Sequence, residues 1–184
     1  MADRVPIHDS ALLLHKTPFS DSSLIVTWFT REHGKLKTML KGARRPKSPF
    51  RGCADHFLKV DLGWQRARQS EIHYGTETGA AFAWRGIAGD YARMSTGIYF
   101  AELLDILTAL EDPAPDLFRL LEQAWEYLDL HDPSWKLMVR YEKALAIALG
   151  FAESGATADQ VRHALNEHAS RRPASRGALE EMLR

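Results

Sequence analysis

Between Thr30 and Gly52 the chain sets Arg31, Lys35, Lys37, Lys41, Arg44, Arg45, Lys47 and Arg51 against a single acid, Glu32. The whole chain holds 24 basic and 24 acidic residues, so this stretch is a local concentration of positive charge. Lys35, Lys37 and Lys41 alternate with Leu36, Thr38 and Leu40. In a strand, successive residues face opposite sides. One face would then be apolar, and the other would carry ammonium groups about 7 and 13 Å apart at ~3.3 Å per residue. That pitch suits a phosphate backbone, whose charge is neutralised without its sequence being read. The loop Gly42 to Gly52 adds Arg44, Arg45, Lys47 and Arg51 among glycine and proline, free to adapt. Lys35, Lys37, Lys41, Arg44, Arg45, Lys47 and Arg51 are therefore the candidate DNA-binding residues. The plain alternative is a set of ordinary solvated charges.

Chemistry of other kinds finds no footing. Gly34-Lys35 lacks the upstream glycine of a phosphate-binding loop, and no HExxH is present. His163 and His168 are five apart, about 140° around a helix, so they cannot share a metal as an i, i+4 pair would. Cys53 and His56 have ligand-like spacing but no second pair nearby, and a single cysteine excludes both an internal disulfide and a four-cysteine zinc site. No nucleophile elbow is present. The expectation is no catalytic site, no metal and no cofactor. No apolar run reaches 18 residues and no signal-peptide pattern is present, which predicts a cytoplasmic protein.

The elements that must carry the cations fall into two parts. Residues 1–6 read as a loose lead-in. Strands are expected at Ile7–Lys16, Ser23–Thr30, Lys35–Lys41, His56–Gly63 and Gln69–Tyr74, with a turn at Gly63-Trp64-Gln65 and a longer insertion between the third and fourth. Five short strands in about 75 residues fit a Greek-key barrel of the OB type, with an SH3-like barrel as the nearest competitor. Gly79-Ala80-Ala81 and Gly86 to Gly89 read as a connector. Helices follow: one capped by Asp90 and running to Leu107, then Asp116–Leu130, Trp135–Leu149, Ala158–Ala169 and Ser175–Leu183. The expected architecture is α+β, with an OB-fold nucleic-acid-binding domain over residues 1–80 and an α-helical domain over 81–184. Residues 1–80 carry 13 basic and 8 acidic residues and residues 81–184 carry 11 and 16, so a basic half joins an acidic one.

The aromatic that shares the lysine face depends on register. A four-residue hairpin loop would pair Thr30 with Lys35 and turn Trp28 outward. A bulged three-residue loop at Gly34 would turn Phe29 outward. Either ring could stack a nucleobase, or both could be core.

Three segments are recognisable: PFSDSSLIVT from Pro18, FTREHGKL from Phe29, and KGARRPKS from Lys41. They resemble the N-terminal domain of the bacterial RecO family of recombination mediators. The helical half is similar too, at Ala101–Asp105, Asp112–Phe118, Tyr141–Leu145 and Leu149–Phe151. The likeness covers residues 7–151. It implies an OB-fold and a helical domain that bind single- and double-stranded DNA and anneal complementary strands. It also implies work in RecF-type gap repair with RecR and single-strand DNA-binding protein to load the recombinase, without enzymatic activity. Many members carry a four-cysteine zinc module after the helix that ends like Leu149-Gly150-Phe151. This chain passes from Phe151 through Gly155 directly into a helix, so zinc is expected to be absent. Exposed Arg119, Lys136 and Arg140 among apolar neighbours could receive the acidic-hydrophobic tail of single-strand DNA-binding protein. The alternative reading is a shortened structural or regulatory interaction protein of the same fold with little mediator activity.

Overall fold

Alternation of apolar and polar residues does build strands here, and the strands close on themselves. The computed structural model describes residues 5–183, so the first four residues of the lead-in expected at residues 1–6 lie outside the described residues, as does residue 184. The strands are β1 (Ile7–Pro18), β2 (Leu24–Thr30), β3 (Gly34–Leu40), β4 (Leu58–Gln65) and β5 (Ile72–Ala83). They form a closed barrel in the order β1-β2-β3-β5-β4, with β1 also paired to β4 and β3 parallel to β5. That is the OB-fold order. Ala11, Leu13, Val26, Trp28, Leu36, Leu40, Val60, Leu62 and Trp64 fill the interior. Phe50, from the loop after β3, joins the same cluster. The Trp28 indole N–H donates to Thr38 Oγ1 at 2.8 Å, which satisfies both groups inside the barrel.

Two expectations need correction. Gly63-Trp64-Gln65 is not a turn: all three residues lie in β4, and Trp64 is buried. The stretch Gly79-Ala80-Ala81 is not a connector, because β5 runs on to Ala83. A Cβ on Gly79 would meet nothing within 4 Å, so that glycine marks neither a turn nor a close approach; the glycine of β5 that serves packing is Gly75. A Cβ on Gly75 would lie 2.2 Å from Leu40 Cδ2, so its absence lets the two strands meet. The Gly86–Gly89 connector likewise contains a short helix, α1 (Arg85–Ala88).

The chain divides into two compact units. The barrel unit runs through Ala83 and takes in Ala109–Pro115 as well; Trp84–Thr108 and the chain from Asp116 onward form the other. The segment Ala109–Pro115 lies along the start of β3. Leu110 bridges to Lys35, and the Glu111 N–H donates to the Lys35 carbonyl at 2.7 Å. Glu111 is tied again by its carboxylate, which accepts from Arg66 and faces His73 Nε2 at 3.0 Å. The Arg66 hydrogen bond holds the Glu111 carboxyl below its usual range, while burial pushes the His73 imidazole down.

Gly34 is where this segment comes closest. Its φ is +66°, and a Cβ there would lie 1.9 Å from the Asp112 carbonyl oxygen. Gly34→Ala is therefore expected to strain the backbone and push a main-chain atom aside, lowering stability by about 2 kcal/mol or more. Chemical denaturation of both proteins checks this, and an unchanged midpoint would refute it.

The second unit is helical: α2 (Tyr91–Leu107), α3 (Pro115–Leu130), α4 (Trp135–Ala148), α5 (Ala158–His168) and α6 (Arg176–Leu183), with α1 before them. Asp90 and Ser134 cap α2 and α4 by accepting from Arg93 N and Leu137 N, and Thr157 with Gln160 forms a capping box on α5. Tyr141 stacks on Phe100 with ring centres 3.9 Å apart and donates its hydroxyl to the Phe100 carbonyl. Two acids hold the chain's last described helix. Glu102 accepts from Arg171, Ala174 N, Ser175 N and Ser175 Oγ; burial opposes its ionisation, but these donors win and keep its carboxyl below the usual range. Buried Glu142 accepts from Tyr99 and, at 2.6 Å, from Arg176.

Candidate nucleic-acid interface

The hairpin β2–β3 decides which cations are open. Its loop has three residues, Arg31, Glu32 and His33. Thr30 pairs Gly34, Phe29 pairs Lys35, Trp28 pairs Leu36 and Thr27 pairs Lys37. Directly opposed residues share a face, so Phe29 accompanies Lys35 on the outside of the barrel and Trp28 points inside. Both rings are 0 % exposed, however, and neither offers a face to a base. The polar residues of the loop mainly fix its shape. Asp9 accepts from Glu32 N at 3.1 Å and meets His33 Nδ1 at 2.9 Å, while Thr30 Oγ1 donates to the Gly34 carbonyl.

Lys35 drops out of the expected row. It is only 8 % exposed, beside the segment that carries Leu110 and Glu111. Lys37 is partly exposed, and Lys41, Arg44, Arg45, Lys47 and Arg51 are exposed. Among the described residues, none of these six cations is paired with a carboxylate. The row therefore begins at Lys37 and gathers density in the loop.

The loop is tied down where glycine and proline suggested freedom. Gly42, at φ +72°, turns the chain out of β3, and Arg45 N donates back to the Gly42 carbonyl at 3.0 Å. Ser48 N and Arg51 N close further turns onto Arg45 and Ser48 carbonyls, and Phe50 anchors the loop in the core. Arg44 fastens it to the β1–β2 turn twice. Its backbone N–H donates to the Ser22 carbonyl and its guanidinium to the Ser20 carbonyl, both at 3.0 Å. A preset loop loses less conformational freedom on binding an extended ligand.

The exposed aromatics of the barrel are residues the sequence did not single out. Phe19 in the β1–β2 turn is 57 % exposed and Tyr74 on β5 is 47 % exposed. The Lys41 ammonium lies 5.6 Å from the Tyr74 ring centre, a cation–π contact. Phe82 is a third, with Lys59 at 5.9 Å. Phe19 carried a usable signal: a large apolar residue between proline and serine, in a turn that has little core to offer.

On the helical unit Arg119 is exposed on α3, and Lys136 and Arg140 are exposed one turn apart on α4. None of the three lines the apolar hollow of that unit, which is formed by residues including Tyr91, Ile98, Leu179 and Met182. Among the described residues there is no cluster of three or more side chains suited to a metal ion, and no helix long and apolar enough to cross a membrane.

Comparison with known proteins matches two family models to the two halves of the chain. Residues 1–78 match "Recombination protein O N terminal" and residues 88–154 match "Recombination protein O C terminal". The chain belongs to the RecO family. Its similarity extends to individual RecO proteins named as DNA repair proteins. One from Azoarcus sp. (strain BH72) is 35 % identical over 146 residues, covering 77 % of this chain and 57 % of that protein. Another from Burkholderia pseudomallei is 34 % identical over 146 residues, covering 77 % and 50 %. A third from Bifidobacterium animalis subsp. lactis is 34 % identical over 143 residues, covering 76 % and 59 %. The chain spans about half the length of the curated RecO relatives it matches. The matched RecO regions take in β1 to β4 with most of β5, and α2 to α4; α5 and α6 lie beyond them.

Proposed function

We propose that this chain is the DNA-holding part of a recombination mediator in gap repair. It would bind single- and double-stranded DNA, anneal complementary strands, and help load the recombinase with RecR and single-strand DNA-binding protein. It acts as a binding protein and uses no catalytic group. The observation that carries this reading is the open set of Lys37, Lys41, Arg44, Arg45, Lys47 and Arg51, six cations on one strand end and one fastened loop with no carboxylate partner among the described residues. Such a surface neutralises phosphates without reading bases. Two strands held on it repel each other less and meet at higher local concentration, so annealing needs no bond chemistry. The name shared by the relatives, DNA repair protein, agrees with this reading.

The test is binding and annealing across a range of salt. If about five phosphates are engaged on a single strand, the log–log salt slope is expected near −3.5, by the ~0.7 per contact rule. Complementary oligonucleotides coated with single-strand DNA-binding protein should anneal faster with the chain than without it. A flat salt dependence and no acceleration would together refute the reading. The exposed Arg119, Lys136 and Arg140 remain the proposed seat for an acidic partner tail, to be tested by titrating such a peptide against the whole chain.

A further inference from the structure

Beside the cationic loop lies a hollow of about 380 Å³, lined by Phe19, Ser20, Ser22, Ser23, Met39, Lys41, Gly42 and Arg45. Its two sides differ in kind. Lys41 and Arg45 supply positive charge and the serines supply hydroxyls, and no carboxylate lines it. Phe19 and Met39 supply an apolar wall. The Ser20 hydroxyl is already in use, accepting from Ser22 N and Ser23 N, and Ser23 Oγ accepts from Gly42 N. The Ser22 hydroxyl has no partner among the described residues.

Phe19 is unusual in this setting. More than half of it is exposed, yet its backbone is fixed: its N–H donates to the Ser23 carbonyl at 3.0 Å, and Arg44 grips the carbonyls of Ser20 and Ser22. Its ring touches no other ring or cation among the described residues, whereas the Tyr74 ring already has Lys41 over it. An aromatic face held open on a rigid turn, next to two cations and a free hydroxyl, matches the halves of a nucleotide: base on one side, phosphate on the other.

We infer that this hollow is a single-nucleotide subsite of the DNA interface, in which Phe19 stacks one base while Lys41 and Arg45 hold the adjoining phosphate. The inference rests on the DNA-binding reading above and narrows it. A base can reach Phe19 only when it is unpaired and unstacked, so the subsite favours single strands over duplex. Ser22 donates to the phosphate or sugar. The strand then continues past Lys41 toward Tyr74, which the pairing of Met39 with Tyr74 places on the neighbouring strand. Stacking of this kind tolerates any base, because every base has a π-face.

The experiment uses the full chain and two single-stranded oligonucleotides, one intact and one carrying abasic sites throughout its centre. Both are titrated at several salt concentrations against the unaltered protein, Phe19→Ala and Phe19→Trp. The unaltered protein should prefer the intact strand. Phe19→Ala should weaken binding to the intact strand by about fivefold to 150-fold, the range for removing one stacked base. It should leave affinity for the abasic strand and the salt slope unchanged, and Phe19→Trp should restore the preference. Binding with a normal salt slope but no loss in Phe19→Ala would overturn the subsite and leave the DNA-binding reading standing. No binding by the unaltered protein would overturn both.

Discussion

Reversing three charges together, Arg44→Glu, Arg45→Glu and Lys47→Glu, is expected to abolish DNA binding at physiological salt while the protein stays folded. Each lost phosphate contact on a single strand removes about 0.7 from the salt slope, so three remove about 2. At ~0.15 M salt that is a loss of roughly fourfold per contact from counterion release alone. The three introduced carboxylates then repel the strand, and the total fall should exceed about a hundredfold. The fold should survive for a structural reason. The loop is fastened by Phe50 in the core and by the Arg44 backbone N–H on the Ser22 carbonyl, and neither depends on the three charges. Binding titrations and a thermal melt, side by side, check both halves of the expectation. Lys35→Met is the informative companion. Because Lys35 is buried, its replacement should leave the salt slope where it was. Equal affinity and slope in the triple variant would mean that the strand does not run over this loop.

The second large effect is expected from Arg176→Met. Arg176 reaches Glu142, whose side chain is nearly fully buried, and its Nη1 also donates to Tyr99 at 3.1 Å. Removing one member of such a buried pair leaves a charge without compensation, at a cost of about 3–5 kcal/mol. For a chain of this size about 2–4 °C of melting temperature goes with each kcal/mol, so a fall of about 6–20 °C is expected. The pH dependence gives a second check. Burial already pushes the Glu142 carboxyl above its usual range, despite Tyr99 and Arg176. Without Arg176 it should rise further. A group whose folded pKa is raised favours the fold while protonated. The deficit of the variant should therefore be small below pH ~4.3, the unfolded value, and grow as pH climbs through the folded pKa. Glu142→Met placed in the same chain should recover much of the loss. A deficit independent of pH would mean lost packing, not a stranded carboxylate.

Much of the fold could be read before the structure, because local chemistry writes it. The β-branched run at Leu24–Thr30 and the caps at Asp90 and Ser134 act within a few residues of themselves. What escaped was decided by distant chain. Period-two alternation put Lys35 outside the barrel and left Trp28 or Phe29 beside it according to register; Lys35 and Phe29 are the pair outside. Nothing within ten residues reveals that both are covered, or that residues 110–111 return to pair beside Lys35. Trp28 and Phe29 illustrate the same limit. Register settles which way a ring points, and burial settles whether it is available. The cationic loop was legible by composition, but its fastening was not, since it depends on Ser20 and Ser22 in another turn. Gly79 read as part of a connector, and it lies in a strand that in fact runs twelve residues.

The Ala109–Pro115 return has a bearing on how the molecule is made. Synthesis proceeds from the N-terminus, so the ribosome finishes all of α2 before the last piece of the barrel unit leaves the exit tunnel. Until then the nascent barrel has neither the strand-edge partner for Lys35 nor the carboxylate that answers Arg66 and His73. A gene fragment ended at residue 83, however natural that border looks on paper, would lock the barrel permanently in that half-made condition.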